Sequence, residues 1–279
     1  MKEVAIKNII KVFNVKEEEI LDLKRFNQGM SNYTFYFKLN NKKYVIRIIG
    51  LKAELFVDYQ NEENVLKALN NTNITSKLIY YNKETGTKIS EYIEGQTNRS
   101  TKESLVNTLK TLHEIKSSKI KDYDLINRLN KYESYNKKDN INNQYFIIKN
   151  FFINKYQSKY INREKKLCHN DLQNINIINN NNKSYLIDFE YTAYNDPLYD
   201  IASYGDDPIL LFELYYNKKA SEKDIYDILF YQMYQSLQWY QVALYKEEIG
   251  FSKLTNYNFL QLANYFLNNA IKIYNKIKE

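Results

Sequence analysis

The sequence predicts an α+β fold in two lobes, a small β-rich N-terminal lobe over residues 1–92 and a larger, mainly helical C-terminal lobe over residues 93–279. Three observations predict it. Short apolar runs broken by Gly or Asn turns fill the first part. Apolar stripes at helical spacing dominate the second. One hairpin, within residues 167–191, interrupts the helical part and carries most of the chemistry-bearing side chains.

Taken in order, Val4, Ile6, Ile9, Ile10 and Phe13 fall near helical spacing and predict a short helix over 2–13. Leu21–Asn27, Tyr33–Leu39 and Tyr44–Ile49 read as strands, the last two joined by the Asn40-Asn41 turn. Between the first two lies Gln28-Gly29-Met30-Ser31-Asn32. A turn holding a glycine, a hydroxyl and an amide can bend sharply and aim backbone N–H groups at phosphate oxygens, so Gly29, Ser31 and Asn32 are candidate phosphate contacts. Arg47 is the one charge in the apolar run Val45-Ile46-Arg47-Ile48. It points either to solvent or into a cleft, where its fork can hold two phosphate oxygens. A helix over 58–70 follows, and either Glu62 or Glu63 can pair with Arg47 from it. A second hairpin, Lys77–Tyr81 with Thr87–Tyr92, leads into Ile89–Gly95, which leaves the sheet as a hinge. The backbone there, with Glu91 and Ile93, is the candidate contact for an adenine.

Beyond the hinge, Leu105, Leu109, Leu112 and Ile115 form one helical stripe, and His113 beside it reads as a packed histidine. Residues 122–160 are helical in tendency, with an Asn/Lys-rich loop around 136–143. Asp196-Pro197 is a helix-start signal, and Asp200 just after it reads as a helix-capping group that also ties down the catalytic loop. Residues 221–248 and 255–277 read as long amphipathic helices, the first holding Trp239.

In the central hairpin, Ile175–Ile178 and Tyr185–Ile187 read as strands flanking an Asn-rich turn. His169-Asn170-Asp171 precedes the first, and Asp188 ends the second. Two carboxylates, Asp171 and Asp188, are thereby expected at one end of a small sheet, with Asn176 close by. A phosphotransferase needs this set: one carboxylate meets the acceptor hydroxyl, and another, with an amide oxygen, holds magnesium. The order H-x-D-x4-N followed by D-F-E resembles the protein-kinase pattern H-R-D-x4-N with D-F-G. The bland alternative is a hairpin with solvated polar turns.

Composition fits a globular chain: 279 residues, 44% hydrophobic and 26% charged. The net charge of +7 is spread along the chain and reads first as a Lys-rich solvated surface, with attraction to phosphate-bearing ligands as the functional alternative. No basic run suggests a nucleic-acid partner. The single cysteine, Cys168, excludes an internal disulfide and reads as a small buried residue. No apolar stretch has transmembrane length and no signal peptide is visible, so no membrane insertion and a cytoplasmic location are expected. Oligomeric state is left open.

These residues resemble the choline/ethanolamine kinase family, within the aminoglycoside-phosphotransferase group of the protein-kinase-like fold. The resemblance runs from Gln28 to about Ala270. Gln28–Asn32 is similar to the family's G-G-x-[ST]-N loop with one Gly missing, and Val45–Ile48 to its V-L-R-[IL] strand. His169, Asn170, Asp171, Gln173 and Asn176 match H-N-D-x-Q-x-x-N, and Ile187–Tyr191 matches I-D-F-E-Y. Tyr194-Asn195 through Asp200-Ile201 matches Y-N-x-x-x-x-D-I. The resemblance implies transfer of the ATP γ-phosphoryl to the hydroxyl of choline, with Asp171 as base, Asn176 and Asp188 on Mg2+, and Gln173 in the substrate loop. It also implies that Arg47 with Glu62 or Glu63 positions phosphates, and that Tyr191, Asp207 and Trp239 receive the quaternary ammonium by cation–π and charge attraction. Two positions depart from the family: Val242 stands at the second Trp, and Asp207 stands where Glu is usual. Ethanolamine, an aminoglycoside or another small amino alcohol is the alternative acceptor. A non-catalytic module on the same scaffold is the alternative of another class.

Overall fold

A computed structural model describes residues 1–26, 32–97, 101–181, 183–255 and 257–279. The first helix, α1 (Lys2–Phe13), is followed by β1 (Leu21–Arg25), β2 (Tyr33–Leu39) and β3 (Lys42–Ile48). Next come α2 (Tyr59–Ala68), β4 (Leu78–Asn82), β5 (Thr87–Glu91) and α3 (Lys102–His113). Helices α4 (Leu125–Glu133) and α5 (Asn143–Lys155) precede β6 (Lys166–Cys168), β7 (Ile177–Asn180), β8 (Lys183–Leu186) and β9 (Ala193–Asn195). The chain ends in α6 (Pro197–Ser203), α7 (Pro208–Tyr216), α8 (Glu222–Glu248) and α9 (Phe259–Ile277). Two packing units result: residues 1–121 with 173–193, and residues 122–172 with 194–279.

The first unit is built on a sheet of order β1-β2-β3-β5-β4, antiparallel throughout. Asn40 and Asn41 turn β2 into β3 with both residues left-handed, at φ 49° and 60°, the backbone that a tight two-residue hairpin demands. The alternating side chains then sort by face. Phe35, Phe37 and Leu39 of β2, Tyr44, Ile46 and Ile48 of β3 and Ile89 of β5 are buried together with Ala5 and Ile9 of α1. Each fully buried Leu, Ile or Phe among them contributes roughly 1.5–3 kcal/mol on burial. The opposite face follows from register. Thr34 pairs with Arg47 and Tyr36 with Val45, while Arg47 pairs with Lys88 and Val45 with Ser90. This face therefore carries polar and charged groups.

Helix α2 is capped by Asp58, whose side chain accepts from the Asn61 amide at 3.0 Å. Asn61 is buried. Its Nδ2 donates to the Thr192 carbonyl at 2.8 Å, and its Oδ1 accepts from the Lys121 amide at 2.9 Å. The helix is thus fixed to the segment after β8. Strands β7 and β8 pair Ile177 with Leu186 and Ile178 with Tyr185. The first strand starts two residues later than the sequence reading places it. Asn174–Asn176 form a single tight turn, and Ile175 is 48% exposed within it. Gly95 exchanges no side chain with β7: a Cβ there would stand 2.5 Å from the Asn179 carbonyl oxygen, so only glycine permits the Gln96–Asn179 bridge beside it.

In the second unit α8 packs against α9 and α6 through a tyrosine-rich interior. Phe230 stacks on Tyr160 at 4.3 Å, and Phe152 lies 4.8 Å from Tyr234. Tyr231 donates to Asp196 at 2.8 Å, and Arg163 bridges Asp196 and Asp227. Among the described residues no helix is long and apolar enough to cross a membrane.

Candidate active site

The charged face of the first sheet converges on Arg47. Its side chain is 5% exposed, so its charge must be matched by protein groups. Nη2 donates to Glu62 Oε2 at 2.7 Å and to the Gly86 carbonyl at 3.1 Å. Nη1 donates to Asp188 Oδ1 at 3.0 Å and stands 3.6 Å from Glu190 Oε2. Burial opposes the charge of the guanidinium, but Glu62, Asp188 and Glu190 outweigh that cost and hold it well above its ordinary pKa. Gly86 sits at φ 64°, and a Cβ there would meet Ile49 at 2.6 Å, so the carbonyl that receives Arg47 depends on glycine.

The choice that spacing leaves open is resolved here. Glu62 is the partner of Arg47 and is fully buried. Glu63 faces away and pairs with Lys67 at 3.0 Å and Gln60 at 3.1 Å. Tyr81 adds a second donor to Glu62 Oε2 at 2.8 Å.

Asp188 holds a left-handed backbone, φ 65°, with its side chain 34% exposed. Asn176 is buried, and its carbonyl accepts the Ile187 amide at 3.0 Å, so its backbone lies beside the residue preceding Asp188. Asn32 donates to Glu190 Oε2 at 2.9 Å and accepts from the Gly50 amide at 3.4 Å. Gly29 and Ser31 lie outside the described residues. Burial and the neighbouring Asp188 carboxylate raise the pKa of Glu190, as in a cluster carrying an excess of negative charge. Three carboxylates, Glu62, Asp188 and Glu190, face two cations, Arg47 and Lys88. Oxygen donors with surplus negative charge fit a hard divalent cation such as Mg2+.

At the hinge end of the same face the side chains are aromatic. Tyr36 meets Tyr92 edge-on at 5.2 Å, and Phe26 lies parallel to Tyr92 at 6.5 Å. Glu91 closes β5, its amide bonded to the Lys77 carbonyl at 2.9 Å, and half-buried Ile93 follows. Tyr191, in the turn Phe189–Tyr191, is buried in this unit. Gln173, which precedes the turn to Asn176, is exposed.

The second unit shapes the loop of Asp171. Asp200 is fully buried within α6 and accepts the His169 amide at 2.8 Å and the Asn170 amide at 2.7 Å. Asn170 is left-handed, φ 63°, and its Oδ1 accepts from Asn195 at 2.8 Å. Ser203 receives the Leu172 amide at 3.0 Å. Asp171 itself is half-buried. Asp196, rather than Asp200, caps α6, accepting from the Leu198 amide at 2.9 Å. Asp200 therefore serves the loop, as expected, while the capping role that its sequence context also suggests falls to Asp196. Cys168 is buried and free, its Sγ 3.4 Å from the Asn195 carbonyl. Asp207 caps α7 through the Leu210 amide at 3.0 Å, and Trp239 is half-buried on α8.

The sequence profile of the choline/ethanolamine kinase family matches residues 23–207. The chain belongs to the choline/ethanolamine kinase family. Membership makes it an ATP-dependent small-molecule phosphotransferase with a substrate of the choline/ethanolamine type. No curated protein sequence matches the chain. Among solved structures, choline kinase LicA from Streptococcus pneumoniae superposes with a TM-score of 0.79 at 24% identity, covering 98% of this chain and 99% of LicA. LicA in complex with AMP gives 0.76 at 24% identity over 96% and 98% of the two chains. Plasmodium vivax ethanolamine kinase gives 0.75 at 20% identity over 95% and 86%. These likenesses establish the two-lobed, kinase-like α+β fold.

Two residues of the cluster escape the sequence reading. Glu190 lies inside the D-F-E-Y motif, so its signal was present. Lys88 becomes visible only through strand register, opposite Arg47.

Proposed function

We propose that this family member is a choline kinase that transfers the γ-phosphoryl of ATP to the choline hydroxyl, giving phosphocholine and ADP in the cytoplasm. Residues 1–92 serve as the nucleotide-binding lobe and residues 93–279 as the catalytic and acceptor-binding lobe. The observation that carries the reaction is the Arg47 fork, which joins Glu62 of α2 to Asp188 after β8. A buried guanidinium held by two carboxylates from separate elements is a preorganised phosphate receptor, costing little rearrangement when charge arrives.

Asp171 takes the hydroxyl proton as the new O–P bond forms and the bond to the β-phosphate oxygen breaks. Asn176 and Asp188 hold Mg2+, which when bound screens the charge of the phosphates. Gly29, Ser31 and Asn32 are the proposed phosphate contacts, and the backbone of Glu91 and Ile93 meets the adenine. Gln173 supports the acceptor loop. Tyr191 and Trp239 offer ring faces to the trimethylammonium, each worth about 0.5–2 kcal/mol, and Asp207 offers charge. A quaternary ammonium has no N–H, so ring faces and charge are the means to hold it. Glu63, spent on Lys67, takes no part.

Val242 at the second Trp position favours one rival acceptor, ethanolamine, whose ammonium donates hydrogen bonds and needs fewer rings. An acceptor screen with labelled ATP decides. The expected result is a kcat/KM for choline about tenfold or more above that for ethanolamine, with a similar rise in choline KM for Trp239→Ala. Preference for ethanolamine or an aminoglycoside would reassign the acceptor and leave the reaction. Nucleotide binding without turnover of any hydroxyl acceptor would sink the reaction. In the same assay Asp171→Asn should lower kcat by about 10²–10⁴, and near-normal turnover removes the assigned base.

A further inference from the structure

Lys88 stands opposite Arg47 in the register of β3 and β5, so the two side chains leave the same face of the sheet. Its side chain is 14% exposed, and its Nζ lies 3.9 Å from Glu62 Oε1. Glu62 has no access to water, and its two oxygens are used unequally. Oε2 accepts from both Arg47 Nη2 and the Tyr81 hydroxyl. Oε1 has no hydrogen-bond partner among the described residues, and the Lys88 ammonium stands 3.9 Å from it.

Arg47 is over-subscribed by comparison. One arm is on Glu62 and the other is shared between Asp188 and Glu190. A guanidinium beside a carboxylate tends toward a two-pronged pair. An uncompensated Oε1 would turn the guanidinium toward itself, through Nη1 or through Nε, which has no partner among the described residues, and so shift the arm that meets Asp188. Burial and the nearby Arg47 also lower the pKa of Lys88, as for a cation held among other charges.

We propose that Lys88 is a positioning residue: it neutralises the second oxygen of Glu62 and so keeps one arm of Arg47 available to Asp188 and to the nucleotide phosphates. This rests on the phosphotransferase reading of the site, and it acts through Glu62 without touching the substrate.

The test uses the full chain with Lys88→Met, Lys88→Arg, Glu62→Gln and the double variant Glu62→Gln/Lys88→Met. KM for ATP, kcat, nucleotide Kd and Tm are measured for each. Lys88→Met should raise KM for ATP and nucleotide Kd about tenfold with kcat within about twofold, and Lys88→Arg should recover most of the loss. In the Glu62→Gln background, where Oε1 has lost its charge, adding Lys88→Met should change KM by less than about twofold. Full additivity in the double variant overturns the proposal, since it would place Lys88 directly on the phosphates. A lowered Tm with unchanged KM and Kd also overturns it, leaving Lys88 a packing residue. If the parent protein binds ATP yet phosphorylates no acceptor, the phosphotransfer reading fails alone. The effect of Lys88→Met on nucleotide Kd then still decides this inference.

Discussion

Arg47 Nη1 stands 3.0 Å from Asp188 Oδ1, across 141 residues of sequence. That contact fastens the middle of β3 to the turn after β8, and it depends on a planar fork. One arm must reach Glu62 at 2.7 Å while the other reaches Asp188. Lysine offers a single point of charge and cannot serve both. Arg47→Lys should therefore lower kcat/KM for ATP by about 10–100-fold, with a smaller loss of Tm, in steady-state kinetics at saturating choline.

The two neighbouring glutamates of α2 should behave as opposites. Glu62 is buried between Arg47, Tyr81 and Lys88, and its removal strands a buried cation. Breaking one partner of a buried pair costs about 3–5 kcal/mol. Glu62→Ala should unfold at visibly lower urea and lose most activity. Glu63→Ala loses a partly exposed pair with Lys67 and should stay within about 0.5 kcal/mol of the parent. Equal losses for the two variants would contradict the assignment.

Asp200 accepts two buried backbone amides, those of His169 and Asn170. Asp200→Ala leaves both donors unpaired, at about 1–3 kcal/mol each. The expected result is a drop in Tm together with a loss of kcat larger than the loss of ATP affinity, because the distorted loop carries Asp171. Retained kcat in a folded Asp200→Ala protein would show that the loop holds its shape by other means.

A dependence on acid is built into the start of α8. Burial disfavours ionised Asp224, but the Ser221 hydroxyl and amide and Lys218 outweigh it and bring its pKa down to about 2. A folded value below the unfolded one stabilises above the unfolded pKa and is lost as pH falls. The support should therefore fade between about pH 4 and about pH 2. Asp224→Asn should flatten the Tm profile across that window, and an unchanged slope would show that the cap does not titrate.

Much of this was legible in the sequence, and the gaps have physical causes. The strands of the first sheet, the Asn40-Asn41 turn and the two long helices follow from side-chain period and turn chemistry. Glu62 and Glu63 could not be told apart, because the facing of α2 is set by the long-range bonds of Asn61 to Thr192 and Lys121. Helix α7 carries the same Asp-Pro start as α6 but gives no periodic signal in the sequence. Its run Ile209-Leu210-Leu211-Phe212 has no polar alternation to mark a helical face. The start of β7 falls later than composition suggests because an apolar Ile175 sits in a turn, exposed. Lys88 was invisible for a similar reason: a lysine in a short strand belongs to solvent until register sets it across from Arg47.

The pair of amides gathered by Asp200 has a practical corollary. The bend around Asp171 is held by the Asp200 carboxylate through the His169 and Asn170 amides, so an isosteric Asp171→Asn change should silence chemistry while leaving those two bonds in place. An Asp171→Asn protein would then be a trap, able to hold nucleotide and amino alcohol together long enough to be crystallised side by side.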